Sequence, residues 1–130
     1  MFRQAKKNKN SLTKQSVNKK KHEKNRLRND SRVSERALRE IYLKGFELVV
    51  KNAKPEMIMT SYNKINGVWS CYNYDLCTEI LRNEWGFEGI VTTDWWNLPD
   101  RDHEFENIYN NAYRVRAGND VLMPGGNRTN

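Results

Sequence analysis

Three polar clusters in this 130-residue chain each follow directly on an apolar run: Ser61-Tyr62-Asn63-Lys64, Asp94-Trp95-Trp96 and Met123-Pro124-Gly125-Gly126. Asp94 has the most chemical promise, because two adjacent tryptophans come immediately after it. A carboxylate beside flat aromatic faces suits sugar chemistry: the C–H surface of a pyranose ring lies on indole while the anion faces the electron-poor anomeric carbon. A plainer reading stands beside this one, in which Asp94 caps the next segment or accepts a backbone N–H and one tryptophan is core. Asp and Trp together do not choose between the two. Asp100, Asp102, Glu104 and Glu106 add carboxylates nearby. A retaining pair of carboxyl groups stands about 5–5.5 Å apart, and nothing in their spacing sets one of them across from Asp94. They read as a solvated acidic loop and helix start. Cys71 and Cys77 lack a CxxC spacing and are too few for a disulfide framework, so they read as reduced thiols.

The apolar runs define the elements that must hold these clusters. Ser34 can cap a helix with Glu35 in its first turn, and Leu38, Ile41, Tyr42, Phe46, Val49 and Val50 recur at spacings of three and four through about Lys51. Pro55 closes that segment, and Met57-Ile58-Met59-Thr60-Ser61 suits a strand. A loop from Tyr62 to Tyr74 has Asn66-Gly67 as its turn signal. A second helix over Asp75–Glu84 turns Leu76, Ile80 and Leu81 inward, with Gly86 placed to end it. The second strand is Gly89 to Asp94. A third helix over Glu104–Arg116 has apolar positions at Phe105, Ile108, Tyr109, Ala112 and Val115, and ends at Ala117-Gly118-Asn119. Asp120-Val121-Leu122-Met123 is the third strand. Equivalent points at Met59, Val91 and Leu122 are 32 and 31 residues apart, the period of repeated βα units, which predicts a parallel sheet. Functional groups in such sheets gather at the carboxyl edge, where all three polar clusters fall. A small α/β protein with three or four parallel strands has the same pattern.

Charge divides the chain. Residues 1–30 carry eleven Lys and Arg against two acidic residues, a net +9, and the remainder carries twelve against fourteen, a net −2. The first thirty residues show neither helical nor strand periodicity and read as a disordered basic tail. Nonspecific attraction to nucleic acid follows from such a tail, but residues 6–30 hold no aromatic side chain and no specific nucleic-acid partner is expected. No apolar run reaches the ~20 residues that span a bilayer. The N-terminus has charge without a following apolar stretch, so a cytoplasmic protein is expected. A closed eight-unit barrel needs roughly 250 residues, about twice this length.

Met59-Thr60-Ser61-Tyr62-Asn63-Lys64-Ile65-Asn66-Gly67 and the longer run from Leu81 through Gly86-Phe87-Glu88-Gly89-Ile90-Val91-Thr92-Thr93-Asp94-Trp95 resemble segments of glycoside hydrolase family 3. So do Ala117-Gly118-Asn119-Asp120-Val121-Leu122-Met123-Pro124-Gly125 and Ser34 to Tyr42, in the same order as in its bacterial β-glucosidase branch. The similarity runs from about Glu23 to Gly125. It implies the C-terminal part of an incomplete TIM-like (β/α)8 barrel, with residues 1–30 as tail and 31–130 as a partial N-terminal barrel domain. It further implies retaining hydrolysis of terminal β-linked sugars without metal or organic cofactor. The aspartate of the family's Ser/Thr-Asp-Trp segment falls on Asp94 as nucleophile, Trp95 would border the subsite of the terminal sugar, and Tyr62 would help hold its reacting end.

The departures bear on competence. The family places a Lys-His pair on an earlier strand, ahead of a segment that Glu23, Asn25 and Arg26 resemble. Lys21-His22 adjoins Glu23 directly and follows a lysine-rich stretch, so no sugar-binding role is carried to His22. The family's first βα units, and the second domain that usually supplies the acid/base, have no counterpart here. The expected product is an inactive or partner-dependent fragment of an exo-β-glucosidase, whose partners are a β-linked glucoside or related saccharide and a separately encoded remainder of the barrel and second domain. A noncatalytic carbohydrate-binding or structural fragment is the alternative.

Overall fold

The computed structural model describes residues 2–4, 29–95 and 111–124. Its central sheet has the order β1 (Phe2–Gln4), β3 (Met57–Thr60) and β6 (Ile90–Thr92). β3 and β6 run parallel, with Ile58 opposite Val91 and Met59 opposite Thr92, and Val121 continues the parallel direction through a single bridge to Thr92. The α/β architecture is therefore an open portion of a barrel wall with three parallel segments at the expected positions. The third is shorter than its sequence suggests. Only Val121 pairs, because Asp120 turns its carboxylate back onto the Val91 N–H (2.7 Å) and Met123 donates its own N–H to Thr93 Oγ1 (2.8 Å).

The first predicted helix forms in three pieces, α1 (Glu35–Ala37), a π-helical turn over Leu38–Tyr42 and α2 (Lys44–Ala53). Ser34 caps it as expected, its side chain accepting from the Ala37 N–H at 3.2 Å. The π turn changes which residues face inward. Leu43 donates to Leu38 O, five residues back, so one extra residue is taken up and the apolar phase rotates. Ile41, read as inward-facing, is 69% exposed, while Leu43 is fully buried. From there Leu43, Phe46 and Val50 line the buried side. Lys54, in the left-handed region at φ 42°, ends α2 before Pro55.

The second helix spans Asp75–Glu84 as predicted, wound as a π-helix. Asn73 Oδ1 accepts from Leu76 N–H at its start, and at its end Phe87 N–H reaches back to Leu81 O across Gly86, whose φ is +69°. Leu76, Cys77, Ile80 and Leu81 from this helix join Leu43 just before α2, Phe46 and Val50 of α2, Ile58 of β3, Val91 of β6 and the linker residues Trp85 and Phe87 in one apolar core. Each large side chain buried there is worth about 1.5–3 kcal/mol relative to exposure. The chain between β3 and this helix is more ordered than a plain loop. β4 (Lys64–Ile65) and β5 (Val68–Trp69) form a hairpin through Asn66-Gly67, both at positive φ, the signature of a type I′ turn. β2 (Asp30–Ser31) pairs parallel to β4 in a second small sheet.

Within the N-terminal stretch, residues 2–4 pair antiparallel with β3, Phe2 opposite Thr60 and Gln4 opposite Ile58. Backbone groups on an open strand edge accept an extended segment whatever its composition. Of the third helix, α3 (Asn111–Arg116) is described, and none of its residues is buried. Val115 is 58% exposed, and α3 is held instead by Arg114, which donates to Tyr72 OH at 3.0 Å with its guanidinium over that ring. The positions expected at 104–110, the Lys21-His22 and Glu23-Asn25-Arg26 segments, Trp96 and the carboxylates at 100–106 lie outside the described residues.

Candidate active site

β3 and β6 end at the same edge of the sheet, and each delivers one candidate residue two positions past its last paired residue: Tyr62 after Thr60, Asp94 after Thr92. The parallel register makes this a consequence of chain direction, since neighbouring parallel strands release their C-terminal loops on one side. Asp94 is 4% exposed, and its Oδ1 accepts the Trp95 backbone N–H at 2.8 Å. The backbone-binding role raised for Asp94 is thus present, and it orients the carboxylate. Trp95 is 50% exposed. It is not a core residue, and its indole is available at the open edge. Tyr62 is half-buried.

The support beneath these residues is polar and nearly closed to solvent. Ser61 Oγ donates to Asn63 Oδ1 at 2.7 Å and lies 3.1 Å from Ser70 Oγ, which donates to Asn63 O at 2.8 Å. This knot fixes the turn that carries Tyr62 between its buried neighbours. On the Asp94 side, Thr93 N–H donates to Val121 O at 2.9 Å while Thr93 Oγ1 accepts from Met123 N–H. The Met123-Pro124 peptide bond is cis, and these two residues bring the third polar cluster to the same edge.

Two residues that sequence reasoning missed hold this edge together. Asn119, 2% exposed, donates through Nδ2 to Cys71 O (2.8 Å) and Arg114 O (2.9 Å), and its Oδ1 lies 3.5 Å from Thr60 Oγ1. In the sequence it stands in a helix terminus and in a family-like run, with no signal for this role. Arg82, on the polar side of its helix, donates to Gly89 O and Gly118 O, both at 3.2 Å, and to Asp120 Oδ2 at 2.6 Å. Neither has a periodic sequence signal, because both act by hydrogen bonding across segments far apart in the chain. Burial pushes the Cys71 thiol up to about 11 and the Cys77 thiol up to about 12, so neither is a nucleophile near neutral pH. Among the described residues no group of three or more His, Cys, Asp or Glu side chains is arranged to hold a metal ion, and no helix is long and apolar enough to cross a membrane.

A buried aspartate thus stands at the carboxyl edge of a parallel sheet, with an exposed tryptophan next in sequence. Residues 18–130 match the glycosyl hydrolase family 3 N terminal domain. The chain is 54% identical to a beta-glucosidase of Ruminococcus albus over 95 residues, covering 72% of this chain and 10% of that protein. It is 60% identical to an exo-alpha-(1->6)-L-arabinopyranosidase of Bifidobacterium breve over 79 residues, covering 61% and 10%. The crystal structure of the beta-glucosidase of Bifidobacterium adolescentis superposes with a TM-score of 0.68 at 46% identity, over 79% of this chain and 14% of that one. Beta-glucosidase 3B of Thermotoga neapolitana in complex with glucose gives 0.67 at 48% identity, over 78% and 13%. This chain belongs to glycosyl hydrolase family 3. It spans about a tenth of the length of the curated relatives it matches.

Proposed function

We propose that this chain is the nucleophile-bearing portion of a retaining glycoside hydrolase acting on terminal β-glucosides, and that it is catalytically incompetent by itself. The observation that carries the reading is the placement of Asp94: a carboxylate buried at a parallel strand end, oriented by the Trp95 N–H, with the Trp95 indole exposed beside it. In the assembled enzyme an Asp94 oxygen attacks the anomeric carbon as the glycosidic C–O bond breaks and an acid protonates the leaving oxygen. Water then cleaves the glycosyl ester, giving up its proton to the same group acting as base, and Asp94 is regenerated as carboxylate. Trp95 offers a stacking face for the terminal sugar, and Tyr62, from the neighbouring strand end, a phenolic hydroxyl for its reacting end. The family resemblance implies an acid/base drawn from a second domain. Two free buried cysteines suit a reducing compartment, so cytoplasmic residence is part of the same proposal.

The named relatives include both β-glucosidases and an arabinopyranosidase at comparable identity. Identity over this segment therefore does not choose between the two sugars. The test is hydrolysis of activated aryl β-glucoside and aryl α-L-arabinopyranoside by the chain alone and by the chain mixed with the remaining barrel and second domain of a relative, each beside an Asp94→Asn preparation. Turnover only in the mixture, lost with Asp94→Asn, is expected. Turnover by the purified chain alone that survives Asp94→Asn would remove Asp94 from the chemistry. A noncatalytic sugar-binding role, favoured by the exposure of Trp95, predicts instead saturable glucose binding that Trp95→Ala abolishes and no turnover in any mixture.

A further inference from the structure

β2 pairs parallel to β4, with Lys64 N–H donating to Asn29 O at 2.8 Å and Asn66 N–H donating to Ser31 O at 3.2 Å. The backbone ladder stops there, because the chain reverses at Asn66-Gly67, where both residues take positive φ. The Asn66 side chain continues it. Its Oδ1 accepts from Val33 N–H at 2.9 Å and its Nδ2 donates to Val33 O at 2.8 Å, so a primary amide stands where the next peptide group of the ladder would be. Gly67 N–H donates in turn to Asp30 Oδ1 at 2.9 Å, and Arg32 Nε holds the other oxygen of that carboxylate at 2.7 Å. Residue 66 must therefore combine a positive φ with a donor and an acceptor on a short side chain. Asparagine meets all of these, whereas aspartate lacks the donor and glycine lacks both.

The residue that meets these demands is chemically labile in this position. Asparagine is thermolabile, most of all before glycine, whose missing Cβ lets its backbone N reach the asparagine Cγ. Asn66-Gly67 is the one Asn-Gly dipeptide in the sequence. In the fold both reacting groups are tied elsewhere, the amide on Val33 and the Gly67 N–H on Asp30. Asn66 is exposed, so these ties open locally without uncovering the core. We propose that Asn66 is a deamidation site gated by its latch to Val33, and that modification there releases residues 29–33 from the hairpin irreversibly. The Gly67 N, giving up its proton, bonds to Asn66 Cγ as the Cγ–Nδ2 bond breaks and ammonia leaves with that proton. Water then opens the resulting succinimide at either carbonyl, leaving aspartate or isoaspartate. Aspartate sets a carboxylate oxygen against Val33 O in place of the lost donor, and isoaspartate lengthens the backbone and moves the Gly67 N–H off Asp30. The release reaches the candidate site through Ser31, whose Oγ accepts from Asn63 Nδ2 at 3.4 Å in the turn that carries Tyr62. The proposal holds whatever Asp94 does.

The test incubates full-length chain in mildly alkaline buffer, folded and in urea, beside an Asp30→Ala chain that frees the Gly67 N–H. Deamidation at each asparagine is followed by peptide mass mapping, and isoaspartate by enzymatic methylation. Asn66 is expected to react about tenfold or more slowly in the folded parent than in urea. Asp30→Ala should react several-fold faster than the parent when folded and at the same rate in urea. Asn66→Asp, the aspartate product made directly, should speed amide exchange at residues 64 and 66 by about tenfold, with residues 90–92 exchanging as in the parent. Folded parent reacting as fast as the urea sample, or folded Asp30→Ala reacting no faster than the parent, overturns the gating. Unchanged exchange at residues 64 and 66 in Asn66→Asp, or a speed-up shared equally by residues 90–92, overturns the release.

Discussion

As the proposed nucleophile, Asp94 must combine two requirements that usually conflict, burial and readiness to react. The Trp95 N–H satisfies part of its hydrogen-bonding demand from within the same turn. An amide in its place keeps the carbonyl oxygen that accepts this bond. Asp94→Asn is therefore expected to change unfolding free energy by less than about 1 kcal/mol in urea titration, while lowering turnover of the assembled enzyme by about 10³-fold or more. A large loss of stability would mean that the carboxylate is chiefly structural. Cys71 and Cys77 give the opposite case, groups whose burial removes reactivity. Their folded values of about 11 and 12 lie above the roughly 8.5 of an unfolded cysteine. As pH rises past about 8.5 the unfolded chain releases these protons first, so it binds fewer protons than the folded chain and stability falls with pH until the folded thiols also ionise. Below that window the thiols contribute no pH dependence. Urea midpoints at a series of pH values should decline more steeply above pH ~8.5 for the parent than for a Cys71→Ala/Cys77→Ala chain, and a thiol reagent at neutral pH should label the cysteines only on unfolding.

At the level of elements, the site depends on the register between β3 and β6, and two local devices hold it. Gly89 passes so close to the start of β3 that a Cβ there would lie 2.5 Å from Glu56 O and 2.9 Å from Glu56 C. The Phe87 ring, 2.7 Å from that Cβ, can shift, but the Glu56 backbone cannot, so the strands themselves must part. Ile90 donates its N–H to that same Glu56 O, and Gly89→Ala is expected to cost about 1–3 kcal/mol and to lower amide protection at Ile90. The second device is the Arg82–Asp120 pair, in which one carboxylate oxygen accepts both from Arg82 and from the Val91 N–H. Asp120 is half-exposed, which weakens the ion pair itself. The backbone acceptor is the larger part, and Asp120→Ala should cost about 1–2 kcal/mol in chemical denaturation, with Asp120→Asn costing less because its carbonyl oxygen can still serve Val91. If both substitutions cost the same, the charge and not the acceptor holds the strand.

The molecule as a whole is a wall segment with helices on one side. Ile58 and Val91, paired across the sheet, face the helical core. Met57 and Met59 alternate to the other face and are only half-buried, and Ile90, opposite Met57, is 43% exposed. In a closed barrel that second face is filled by side chains from other strands. An open site admits water and cannot surround a sugar, and positioning by several groups supplies much of the rate that an enzyme achieves. The purified chain is therefore expected to hydrolyse an activated aryl β-glucoside no faster than its Asp94→Asn form, in steady-state assays of identically prepared protein. Turnover by the parent that Asp94→Asn abolishes would show that these residues assemble an acid/base of their own.

The 32- and 31-residue spacing of Met59, Val91 and Leu122 was enough to predict parallel strands and a shared edge, because chain direction and unit length are one-dimensional properties. The Ser34 cap, the Asp75–Glu84 helix, the Gly86 stop and the Asn66-Gly67 turn were legible for the same reason: each rests on contacts within a few residues. The Asp94-Trp95 cluster was legible as a candidate because it ends an apolar strand. Tertiary structure decided the rest. The π turn at Leu38–Tyr42 exchanged Ile41 for Leu43 in the core, a phase change that a fixed helical period does not contain. Val115 stayed exposed, since α3 is fastened through Arg114 and Tyr72. Asn119 and Arg82 became the ties beneath the site through partners up to 59 residues away, and Phe2–Gln4 found a strand partner more than fifty residues downstream. Such bonds depend on which segments the fold brings side by side, and periodicity, which reports only how a segment meets apolar surroundings, carries no record of them.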